Sequence, residues 1–150
     1  MQVVVLGARG HVEPGLAAGR IEELRRLEAS ERALAEAFVA YARAAEGGGR
    51  LLHLSERHRH ISELLAQRIV ALGGQPDVDP DDIWIIGDPG ELRTILYAEK
   101  AAQRTYHDHL LDMDPETQAL VRERILPDHE DTLEVLTGER GLMQQSLEYG

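Results

Sequence analysis

The chain has no cysteine among its 150 residues, which excludes disulfides, thiolate nucleophiles and cysteine metal sites. No apolar run approaches the length of a membrane span. The opening run Met1–Leu6 is too short for the core of a secretory signal and has no basic segment before it. Basic side chains are in deficit, 16 against 27 acidic, for a formal charge of −11. That balance argues against nucleic acid or an anionic membrane surface as partner and suits a cation as ligand. There is no catalytic triad, no phosphate-binding loop and no basic patch interleaved with aromatics. The expectation is a soluble, cytoplasmic protein, with enough residues for one domain with a sizeable core.

What is present is helical pattern. Residues 1–19 stand apart: Gln2–Leu6 reads as a short strand or extended arm, followed by Gly7, Gly10, Pro14 and Gly15. The glycine pattern is incomplete for a dinucleotide fold, and no strand–helix alternation follows, so the arm is expected to pack on the bundle or a neighbouring subunit. From Arg20 to Glu46 the chain is rich in Ala, Leu, Glu and Arg, with an apolar stripe through Leu24, Leu27, Ala35 and Phe38. Gly47-Gly48-Gly49 ends it. A second helix is expected from Arg50 to Leu72, closed by Gly73-Gly74. Asp88-Pro89-Gly90-Glu91 and Asp114-Pro115-Glu116-Thr117 each place a capping carboxylate before a proline, predicting a third helix from Pro89 to Asp112 and a fourth from Pro115 to Thr137. Gly138 is expected to close the fourth, leaving 138–150 as a tail or short helix.

Two hairpins with short loops, joined by the long stretch 73–90, specify a topology. A connection of that length spans well beyond the ~33 Å of a 22-residue helix. The second and third helices are therefore expected to start at the same end of an all-α four-helix bundle with one long crossover.

Polar residues interrupt the apolar faces. Glu99, Gln103 and Tyr106 fall within the face of the third helix marked by Leu92, Ile95, Leu96 and Leu110. His129 falls among Val121, Ile125, Thr132 and Leu136, His58 between Leu54, Ile61 and Leu65, and Glu31 among Leu24, Leu27, Ala35 and Phe38. Measured from the triple-glycine end at ~1.5 Å per residue, His58 and His129 lie about 12 Å down and Glu99 about 14 Å down. Two imidazoles and a carboxylate at one level suit Fe(II), Mn(II) or Zn(II). Glu31 comes out about 10 Å deeper. A buried Glu31–Arg68 ion pair is its preferred expectation, with a fourth-ligand role as the alternative. Pro127 removes one backbone hydrogen bond two residues before His129 and predicts a kink there. His53, Glu56, His60 and Glu63 share a stripe on the second helix, expected to be a solvated face.

Three stretches carry a resemblance: Arg68-Ile69 with Leu72-Gly73-Gly74-Gln75-Pro76, then Ile86-Gly87-Asp88 leading to Glu99, then His129-Glu130-Asp131-Thr132-Leu133-Glu134. Over residues 20–137 the chain resembles the ferritin-like superfamily, bacterioferritins and rubrerythrins in particular. That family builds a di-metal site from a Glu on each of two helices and a Glu-x-x-His on each of the others. The resemblance implies Glu31 and Glu99 as the single glutamates and His129 as the fourth-helix histidine, in a homo-oligomer handling iron or acting in oxidative-stress redox chemistry. The positions three before His129 and His58 are Leu126 and Ser55, so both bridging carboxylates are absent. The expected site is thus reduced, mononuclear or vestigial, with His58, Glu99, His129 and Glu31 as candidate ligands, iron as the first metal and manganese or zinc as alternatives. The competing expectation is a metal-free helical module for oligomerisation or protein contact, in which Glu99 bonds His129 directly.

Overall fold

The computed structural model describes residues 16–76, 85 and 87–149. The expected N-terminal arm up to residue 15 and most of the crossover lie outside them. Every regular element among the described residues is helical. Four helical limbs form: α1 (Leu16–Ala44), α2 (Leu52–Ala71), α3 (Leu92–His109), and a fourth made of α4 (Pro115–Leu120), a π-helical segment (Val121–Ile125) and α5 (Leu126–Tyr149).

The turns follow local chemistry. Gly47 takes the left-handed conformation at φ 68°, which favours glycine, and a 3-10 turn (Gly48–Leu51) then leads into α2. Asp114 caps the fourth limb as expected, its side chain accepting from the Thr117 backbone N–H with Pro115 in the first turn.

Two expectations about limb ends and one about a kink need correction. Asp88 does not cap α3: it closes a tight turn, accepting from the Gly90 N–H through its side chain and the Glu91 N–H through its carbonyl, and the helix starts at Leu92. Gly138 does not end the fourth limb, which runs on to Tyr149. One glycine costs a helix only ~1 kcal/mol. Arg50 holds the Glu139 carboxylate through two contacts, at 2.9 and 2.7 Å, immediately beyond that glycine. The irregularity expected at Pro127 falls just before it, as the π-helical segment, so the distortion is a widened turn.

Gly74, after α2, sits against Ile21 near the start of α1, while Gly90, before α3, sits against Ala44 at the end of α1. The seam between α2 and the fourth limb is ionic and polar. Arg50 reaches Glu139, Arg57 donates to the Thr132 hydroxyl and the Asp128 carbonyl, and Arg68 donates to Asp114, Glu116 and Thr117. Arg68 is thus committed to the foot of the fourth limb, and the expected Glu31–Arg68 pair does not form.

The core is divided. One apolar cluster gathers Leu34, Phe38, Tyr41, Leu54, Ile95 and Leu136. The other gathers Leu24, Leu27, Ile61, Leu65, Tyr106 and Ile125. On three limbs the residue between the clusters is polar, Glu31, His58 and His129, while on α3 Glu99 lies between Ala98 and Ala102 of the first cluster and the second begins at Tyr106. Ile85, in the connection, packs against the first cluster. No helix among the described residues is long and apolar enough to cross a membrane.

Candidate metal centre

Each limb contributes one side chain to a single buried layer, and each of the four is between 0% and 1% exposed. They form a closed ring in which carboxylates and imidazoles alternate. His58 Nδ1 donates to Glu31 Oε2 at 2.6 Å. His129 Nε2 donates to Glu31 Oε1 and its Nδ1 to Glu99 Oε1, both at 2.5 Å. His58 Nε2 faces Glu99 Oε2 at 3.0 Å, out of line for a hydrogen bond. All four candidate residues from the sequence are therefore brought together, Glu31 included.

The predicted depth of Glu31 was in error for a physical reason. α1 ends at Ala44, so Glu31 lies about 20 Å down its helix. The 3-10 turn rises about 2.0 Å per residue before α2 begins, which lowers His58 to about 17 Å. The remaining difference is within side-chain reach.

Other side chains fix the ring. The Tyr106 hydroxyl donates to Glu31 Oε1 at 2.8 Å. Phe38 stacks on His58 with ring centroids 5.0 Å apart at 22°. Tyr106 also tilts against His129, at 5.3 Å. Two of these roles were partly visible in the sequence, because Phe38 and Tyr106 sit on the apolar faces, yet their partners were not. Arg57 was not foreseen at all. It caps the seam beside the layer by bonding the fourth limb on either side of His129, at Asp128 and Thr132.

Burial opposes every charge in the layer, and the neighbours reverse that effect. Burial pulls His58 down, but the Glu99 and Glu31 carboxylates outweigh it and hold the imidazolium up to a pKa of about 9. Burial likewise opposes protonation of His129, and Glu31 and Glu99 lift it well above the ordinary value. Burial raises both carboxylates, yet His129 and His58 bring Glu31 and Glu99 below the usual range. Burial and the charge of Glu31 push the Tyr106 phenol up, so it remains a donor.

The donor set also fits a metal ion. Glu31, His58 and His129 each offer a ligand atom, all within 4.8 Å of one another. His58 Nε2 and Glu99 Oε2 are buried and face each other at 3.0 Å as an ion pair without hydrogen-bond geometry, an edge that a cation can enter. Imidazole and carboxylate donors suit Fe(II), Mn(II) or Zn(II). The stripe of His53, Glu56, His60 and Glu63 remains a solvent-facing surface, with His60 and Glu63 only loosely paired at 4.0 Å. No protein-family model, curated protein or solved structure matches the chain.

Proposed function

We propose that this chain is a ferritin-like metal-binding protein in which the ring of Glu31, His58, Glu99 and His129 houses one divalent ion, iron before manganese or zinc. Its role on this reading is metal handling or oxidative-stress redox chemistry, in a cytoplasmic homo-oligomer. The observation that carries the proposal is the buried ring itself, one ligand-type side chain from each limb at one level, with two polar atoms left without hydrogen bonds.

Charge sets the number of ions. Glu31 and Glu99 balance one divalent cation, whereas two cations would leave an excess of two positive charges with no further carboxylate in the ring. Ser55 donates to the Ala35 carbonyl and Leu126 packs in the apolar core, so neither position supplies the missing ligand. The contacts of Gly74 with Ile21 and of Gly90 with Ala44 put the end of α2 and the start of α3 beside opposite ends of α1, which supports the parallel α2 and α3 that the ferritin-like topology requires. Exposed Tyr97, Leu142 and Met143 support an oligomer contact.

One observation favours a second reading. Three edges of the ring are hydrogen bonds, so two imidazolium–carboxylate pairs can satisfy the layer without metal. The layer then fixes the register of four limbs, and the helical surfaces serve oligomerisation or a protein partner. Elemental analysis of tag-free protein, beside a His129→Ala variant, separates the two. Stoichiometric metal that disappears on substitution supports the proposal. Metal-free protein in both, with spectra unchanged on Fe(II) addition, leaves the structural module.

A further inference from the structure

The four edges of the ring are unequal. Glu31–His58, Glu31–His129 and Glu99–His129 are hydrogen bonds of 2.6, 2.5 and 2.5 Å. The fourth edge brings His58 Nε2 to 3.0 Å from Glu99 Oε2 without a hydrogen bond. Buried polar atoms in that condition are costly and rare. Here two of them, an imidazole nitrogen and a carboxylate oxygen, face each other across one edge of the ring.

We infer that His58 Nε2 and Glu99 Oε2 are the protein atoms that hold the divalent ion, with His129, Glu31 and Tyr106 as positioning residues around them. This deepens the metal-binding reading above and rests on it. Two ligands on one tetrahedral ion, each about 2.1 Å from it, lie about 3.4 Å apart. The edge at 3.0 Å needs the least widening to reach that separation, and the ion replaces an ion-pair contact there rather than one of the three hydrogen bonds.

The other atoms are committed. Both nitrogens of His129 bond carboxylate oxygens, so coordination through either breaks a short contact. Glu31 Oε1 accepts from Tyr106 and His129, and its Oε2 accepts from His58 Nδ1. That last bond orients the ligand. Once its Nε2 proton is released to solvent, an imidazole that donates Nδ1–H to a carboxylate presents an Nε2 lone pair and is a stronger base. Tyr106 holds Glu31, Glu31 holds His58, and Phe38 stacking fixes the ring plane. With only two protein donors, the ion keeps positions open for solvent or a small ligand.

The test loads metal-free, tag-free full-length protein with Co(II), counts coordinated imidazoles by X-ray absorption, and measures affinity by absorbance titration. His58→Gln and Glu99→Gln are expected to lose more than about 100-fold in affinity, and His129→Gln and Glu31→Gln about 10- to 100-fold. The wild type is expected to show one imidazole per cobalt, and His129→Gln the same count. Two imidazoles per cobalt in the wild type overturn the assignment and leave metal binding standing. So does a His129→Gln loss equal to that of His58→Gln. No cobalt uptake by the wild type overturns the metal-binding reading and this inference with it. The imidazole count is read on the unmodified chain, so a variant that fails to fold does not remove the test.

Discussion

His129 Nε2 lies 2.5 Å from Glu31 Oε1, although the two residues are 98 positions apart in the chain. The contact ties the first limb to the last inside the core, where an unbalanced charge is expensive. Replacing His129 with Leu leaves two buried carboxylates facing the single His58 imidazolium, and unfolding in urea is expected to show a loss of about 3–5 kcal/mol. His129→Gln, which still donates a hydrogen bond, is expected to cost clearly less. Equal losses for the two variants would mean that hydrogen-bond donation to the carboxylates is not what the position supplies.

The metal-free protein has a definite pH response. The His58 imidazolium, at about 9 when folded against 6.5 ordinarily, contributes stability that is fully present below pH 6.5 and lost as pH rises through about 9. The raised value of His129 acts in the same direction. Glu31 and Glu99, both lowered from 4.5, contribute stability that is present above pH 4.5 and lost in acid. The layer is therefore most stabilising between pH 4.5 and 6.5. Thermal melts in chelator should decline from pH 6.5 to 9, whereas a bound divalent ion should offset that decline. A chelated protein whose Tm is level across the range contradicts the imidazolium–carboxylate pairing.

Tyr106→Phe removes one donor to a buried carboxylate while keeping the ring that packs in the apolar cluster. The expected loss is about 1.5–3 kcal/mol in chemical denaturation, because the acceptor is charged. An unchanged midpoint would show that the Tyr106–Glu31 bond contributes nothing net.

The arginine seam can be tested apart from the layer. Arg68 and Asp114 are largely buried, at 17% and 19% side-chain exposure, and Arg68 also holds Glu116 and Thr117. Arg68→Ala is expected to cost about 1–2 kcal/mol. Amide hydrogen exchange should quicken in Pro115–Leu120 before it quickens in α3. A uniform change across all limbs would argue against a local latch.

Gly48 carries the turn between α1 and α2. A Cβ there would lie under 3.0 Å from the backbone of Ala42, including its carbonyl oxygen, which cannot swing aside as a side chain can. Gly48→Ala is expected to destabilise by about 1–3 kcal/mol. Gly49→Ala, with open space around its Cβ, serves as the control in the same melts.

The sequence made the faces legible and the levels less so. Period-3.6 pattern placed Glu99, His58 and His129 inside the core, and the Asp114–Pro115 pair located the fourth limb, because both signals are local. Glu31 was assigned to the right face and the wrong depth. Its match in level with His58 depends on a 3-10 turn whose rise per residue no hydrophobic pattern encodes. Arg68 was paired with Glu31 on proximity within one hairpin, but its partners come from the other hairpin, a choice set by tertiary packing. Gly138 looked like a stop, and the Arg50–Glu139 contact just beyond it is non-local too.

The π-helical segment has a consequence for chain length. Thr117, Val121, Ile125 and His129 are all buried at a strict spacing of four. In an unbroken α-helix that spacing would drift by about 40° per step and carry the last side chain round by about 120°. The wider turn of Val121–Ile125 absorbs the drift, so the limb holds one residue more than an α-helix needs to present the same face. Deleting one residue inside that segment should restore ordinary helix geometry and leave His129 facing its carboxylates. Deleting Asp128 instead should turn the imidazole by about 100°, away from the core. The surplus residue makes this stretch tolerant of a shortening that its neighbours do not allow.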